Sequence, residues 1–147
     1  MKHLVLLILL ITGTASASGP VAPKGWGGSF SAELPNGTSC CLPADLNGTK
    51  LTGGAFVLIS DDKSEFALFA LTYSALLKEQ WQLLERHPIS TLSEFKFTIE
   101  PPGQFPHRAI KACTAIDKCV YWFMASPDAP MQRANNSFKP NLLRKST

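Results

Sequence analysis

Apolar and polar positions alternate with period two over residues 29–34, where Phe30, Ala32 and Leu34 share a face, and over residues 94–100, where Phe95, Phe97 and Ile99 do. That period predicts half-buried strands. Residues 55–59 (AFVLI) form a short continuous apolar run, which reads as a buried strand from its length and branched side chains. Residues 108–114 and 118–125 flank Ala115, Ile116 and Asp117, and predict a hairpin. Residues 39–46 read as the hairpin partner of 29–34 across Pro35, Asn36 and Gly37, with Pro43 demoting them to an edge or bulged strand.

The stretch from Asp62 to His87 has a different period. Phe66, Phe69, Ala70, Tyr73, Leu76, Leu77, Gln80, Trp81 and Leu84 fall at helical spacing, and only Gln80 among them is polar. Asp62 with Glu65 three residues on makes a capping box, and Arg86 and His87 suit the negative end of a helix dipole before Pro88. The pattern predicts one amphipathic helix starting near Asp62. A rival reading puts a turn at residues 61–64 and a strand at 65–72, and keeps residues 75–86 helical.

Strands on both sides of one central helix predict an α+β class: a small, mainly antiparallel sheet or partly open barrel, with two disulfides. The element order is similar to that of OB-type barrels, an arrangement that occurs among receptor-binding subunits of exported toxins. Four segments are expected. Residues 1–17 are a leader, 18–28 a Gly/Pro-rich arm around Trp26, 29–127 a single domain, and 128–147 a polar, basic, extended tail.

Residues 1–17 carry Lys2 and His3, an apolar run over 4–11, and Ala15, Ser16 and Ala17 ahead of Ser18, the pattern of a secretory signal peptide. A membrane-spanning helix needs about 20 apolar residues, and no later run approaches that. A periplasmic or secreted product follows. Eleven Pro and ten Gly against 17% charged residues in 147 fit a strand- and loop-rich chain. The formal charge of +3 becomes +2 without Lys2, too weak a field to imply nucleic-acid binding by the whole domain.

Four cysteines, Cys40, Cys41, Cys113 and Cys119, read as two disulfides in an exported chain. A bond between adjacent residues falls outside the usual Cα separation of roughly 4.4 to 6.8 Å. The expectation is therefore Cys40 with Cys119 and Cys41 with Cys113, or the reverse. Loops of that length are worth about 4 kcal/mol each in the chain-entropy model. Their spacing matches neither a zinc site nor a Cys-x-x-Cys redox motif, so no metal or cofactor is expected.

No hydrolase, metalloprotease, phosphate-loop or calcium-loop motif occurs. His87 and His107, with Arg108 and Lys111, supply the residue types of a small hydrolase cleaving phosphodiesters. Asn36, Asn47 and Asn135 head N-glycosylation triplets, but Asn-Gly turn chemistry accounts for the first two. Trp26, Tyr121 and Trp122 are the candidate binding aromatics, with Tyr121 and Trp122 on opposite faces of one strand. The pattern implies a disulfide-held, non-catalytic binding protein acting on a protein or glycan partner. A secreted hydrolase using His87 and His107, and a glycan-binding module, are the alternatives.

Overall fold

The computed structural model describes residues 20–26 and 39–135. Eight strands form two four-stranded antiparallel sheets, each a simple up-and-down meander. The first sheet holds β1 (Cys41–Ala44), β2 (Gly53–Ile59), β3 (Glu65–Tyr73) and β4 (Glu79–Pro88). A 3-10 helix, Ile89–Glu94, leads into the second sheet. That sheet holds β5 (Lys96–Glu100), β6 (Ala109–Ala115), β7 (Lys118–Phe123) and β8 (Gln132–Asn135). Strands β2, β5, β6 and β7 correspond to sequence expectations. The expected strand at 29–34, the leader at 1–17 and the tail beyond Asn135 lie outside the described residues. Residues 132–135, read as tail, pair with β7 as an edge strand.

The α+β class with a central helix is overturned, and with it the barrel bridged by a helix. Residues 62–87 form a hairpin of two long strands. Strand β3 is buried on both faces, so its run from Phe66 to Leu71 carries no period-two signal. Phe66, Leu68 and Ala70 face the second sheet, while Ala67, Phe69 and Leu71 form an outer cluster with Phe56 and Leu58. In β4 the register shifts by one residue, with Phe69 opposite Leu83 and Leu68 opposite Glu85. This bulge turns Leu84 into the core. A strand buried on both sides, followed by a bulged one, puts apolar residues three and four apart and so mimics a helix.

Asp62, expected as a helix cap, organises the β2–β3 turn. Its Oδ1 accepts from Ser60 Oγ (2.6 Å), Ser64 Oγ (2.7 Å) and the Ser64 backbone N–H (3.0 Å). These bonds, the Ser60 hydroxyl foremost, hold its carboxyl down at about 2.

The sheets share one core. Ala55, Val57, Phe66 and Leu68 of the first meet Phe97, Ile110 and Ala112 of the second, with Leu92 and Phe95 closing one end. Two polar ties cross between the sheets. Gln82 of β4 donates to the Met131 carbonyl (3.3 Å) and accepts from its N–H (2.7 Å). Trp122 of β7 donates its Nε1–H to Glu85 Oε2 of β4 at 2.8 Å.

At the opposite end of the sandwich from the 3-10 helix, Asn47 is only 1% exposed. It donates to the Tyr73 carbonyl (2.9 Å) and accepts from Thr49 Oγ1 (2.7 Å), a structural role that keeps the acceptor amide of this glycosylation triplet inside. At Gly53 β2 runs tight against β3: a Cβ there would lie 1.8 Å from the Leu71 carbonyl oxygen.

The disulfides correct the expected pairing. Cys40 bonds to Cys41, with a Cα separation of 3.8 Å, and Cys113 bonds to Cys119. Cys113 and Cys119 are directly opposed in the β6–β7 register, so each is the other's nearest neighbour. They project from the outer face of the second sheet, whereas Cys40 is buried in the core behind that sheet. A bond between the two groups would have to pass through the sheet itself. Neither disulfide therefore links the sheets.

Candidate functional site

Alternation along the second sheet assigns its two faces. Phe97, Ile110 and Ala112 point inward, so Lys96 and Thr98 of β5, Lys111 and Cys113 of β6, and Cys119 and Tyr121 of β7 point outward. The register sets them in rows. Lys96 lies opposite Cys113, which lies opposite Cys119; Thr98 lies opposite Lys111, which lies opposite Tyr121. Lys111 holds its Nζ 5.9 Å from the Tyr121 ring centroid, within cation–π range. Tyr121 is backed by Phe105 at 5.6 Å, and Phe105 stacks on Phe123 at 4.7 Å.

Above these rows runs an open groove of about 890 Å³. Its floor is Thr98, Lys111 and Cys113; Ser93 and Glu94 rise at one side, and the β6–β7 turn with Ile116, Asp117 and Lys118 closes the other. Ile116 is 95% exposed at the apex of that turn. The Cys113–Cys119 bond ties the two strands that carry the turn, just below it. Chemically the groove offers an apolar lip at Ala115 and Ile116 with three lysine ammonium groups against the two carboxylates of Glu94 and Asp117, a net positive surface suited to a ligand with an aliphatic or aromatic anchor beside carboxylates.

The sequence candidates are dispersed over the fold. Trp26 packs edge-on against Phe69 (5.4 Å) on the outer face of the first sheet, with Arg86 5.8 Å over its ring. The arm carrying it is pinned by the Asp61 N–H donating to the Gly25 carbonyl at 3.0 Å. Arg86 also makes a two-point contact with Glu65, Nε to Oε2 at 3.2 Å, and this partner holds the guanidinium pKa above its ordinary value. Trp122 turns inward and packs against the shared core. Tyr121, on the opposite face of the same strand, stands beside Lys111 of the groove floor.

His87 is a β4 residue rather than a helix end. Its ring lies 5.3 Å from Phe66 and 5.5 Å from Phe95, and its Nε2 is 3.2 Å from Glu85 Oε1. His107 sits in the β5–β6 loop, against Gly48: a Cβ on that glycine would come within 2.5 Å of its Cε1. Gly48 has φ +77, so the position suits glycine in both backbone and space. The histidines are thus at opposite ends of the sandwich. Among the described residues no group of three His, Cys, Asp or Glu is arranged to hold a metal ion.

Sequence reasoning did not single out Lys96, Ile116 or Lys118. The signal was present: strict alternation in residues 94–100 sends Lys96 and Thr98 outward together, and Ile116 is an apolar residue at a turn apex. A second apolar apex joins β3 to β4, where Leu76 and Leu77 are 78% and 68% exposed and Leu77 has φ +61. Comparison with models of protein families, with curated proteins and with solved structures found no match to this chain.

Proposed function

We propose that this chain is an exported binding module that engages another macromolecule through the groove on the second sheet. The observation that carries the reading is Ile116, held almost fully exposed at the lip of the groove on the second sheet, on a turn braced by a disulfide. The disulfide below the turn holds Ile116 in place before any partner arrives, and a preorganised apolar anchor beside cations is what an interface uses. Export is supported by the leader pattern of residues 1–17 and by two disulfides, which persist in oxidising compartments. No helix among the described residues is long and apolar enough to cross a membrane.

The partner's complementary surface carries an apolar pocket for Ile116 flanked by carboxylates for Lys96, Lys111 and Lys118. The test is capture from the native exported fraction with immobilised wild type, Ile116→Asp, Lys111→Glu and, as a control on the Trp26 arm, Lys24→Glu. A protein retained by wild type and Lys24→Glu, and reduced about tenfold or more by either groove variant, supports the reading. Capture of nothing, or retention indifferent to both groove variants, overturns it.

A further inference from the structure

The adjacent cysteines at the start of β1 carry an inference independent of the groove. Cys40 is 3% exposed and packs within the core between the sheets. Cys41 is half-buried and opens β1, an edge strand among the described residues. The backbone on both sides of the bond is already in the ladder: the Val57 N–H donates to the Cys40 carbonyl at 2.8 Å, and Cys41 is registered with Phe56. The sheet therefore does not depend on this disulfide for its pairing, and the bond can open without dismantling β1.

We propose that Cys40–Cys41 is a thiol-exchange site, at which an external thiol attacks Cys41 Sγ and Cys40 is the leaving and resolving thiol. The attacking thiolate forms a sulfur–sulfur bond to Cys41 as the Cys40–Cys41 bond breaks. The electron pair passes to Cys40 Sγ, which takes up a proton, and the product is a mixed disulfide on Cys41. The external sulfur is oxidised as Cys40 is reduced, so no further oxidant is needed. Attack proceeds along the line of the breaking bond, from the side away from the leaving sulfur. Cys41, half-buried, is the residue an external thiol reaches more readily, whereas reaching Cys40 means entering the packed core. Because the two sulfurs belong to neighbouring residues, Cys40 remains beside the mixed disulfide and can expel the incoming thiol again.

The oxidised mature chain is treated with glutathione in one arm and with a protein bearing an exposed cysteine in the other. The reaction is stopped with acid, free thiols are alkylated after denaturation, and peptide fragmentation assigns each sulfur. The expected product carries the adduct on Cys41 and the alkyl group on Cys40, in about tenfold or greater excess over the reverse arrangement. Reaction in the glutathione arm alone identifies a small thiol as the source, and reaction in both extends it to protein thiols; either supports the site. Adducts divided evenly between the two residues or favouring Cys40 overturn the proposal. So does a Cys40–Cys41 bond that stays intact in both arms, whether or not Cys113–Cys119 exchanges.

Discussion

Reducing the disulfides should cost far less stability than four cysteines in a chain of this size would lead one to expect. Had they joined residues 40 and 41 to 113 and 119, each would have closed a loop worth about 4 kcal/mol of unfolded-state entropy. The Cys113–Cys119 loop has a sequence separation of only 6, which brings the same estimate down to about 2 kcal/mol. Cys40–Cys41 has a separation of 1 and closes no chain loop. Loss of both bonds should therefore remove about 2 kcal/mol, with the sheets held by their shared core and by the Gln82–Met131 and Glu85–Trp122 ties. Equilibrium urea unfolding of the oxidised and the reduced, alkylated chain measures this. With a slope of roughly 1 to 2 kcal/mol per molar, the midpoint should fall by about 1 to 2 M with the slope unchanged. A loss near 8 kcal/mol, or a reduced chain without a cooperative transition, would refute the local connectivity and return the disulfides to the role of inter-sheet staples.

Three further outcomes follow from the same geometry. Trp122→Phe removes the donor to Glu85 and should cost about 2 kcal/mol, with a double-mutant cycle against Glu85→Ala, which removes the acceptor, giving a coupling of about 1 kcal/mol; additive losses would show the tie to be idle. The carboxyl of Asp62 lies below its ordinary value of 3.8, at about 2, so its contribution to the β2–β3 turn is present above pH 4 and is lost as pH falls through 2. Acid unfolding compared between wild type and Asp62→Asn should differ in that window, and superimposable curves would contradict the turn network. Leu77, exposed at φ +61, should tolerate Asn with a gain of about 0.5 to 1 kcal/mol, because Asn adopts this backbone at less cost. A thermal midpoint lowered by Leu77→Asn would mean that the leucine packs in solution.

The legible and illegible parts of the sequence divide by how a strand is covered. Strand β5 has one face in the core and one in solvent, so Phe97 alternates with Lys96 and Thr98 and the sequence shows it plainly. Strand β3 is covered on one face by the second sheet and on the other by Trp26, Trp81 and Phe56, and a residue-by-residue pattern cannot signal two buried faces. The bulge at Leu84 then supplied the remaining helical offset. The cysteine pairing was misread for a related reason. Which face a residue occupies decides its possible partners, and Cys113 and Cys119 face away from Cys40. Residues 132–135 gave no strand signal because an edge strand of four with only Ala134 buried has almost no apolar pattern to show. For the candidate site, Tyr121 was visible from its aromatic ring. Lys96, Lys111 and Lys118 converge only because β5, β6 and the β6–β7 turn are neighbours in the folded sheet.

The account rests most heavily on the groove, and a lysine footprint tests it most directly. The chain is acetylated under limiting reagent, alone and with its captured partner, and the modification of each lysine is read by mass spectrometry. The account predicts that Lys96, Lys111 and Lys118 become protected together by the partner while Lys24 and Lys50 react as before. Protection of Lys24 with the three groove lysines unchanged would place the interface on the first sheet and contradict it.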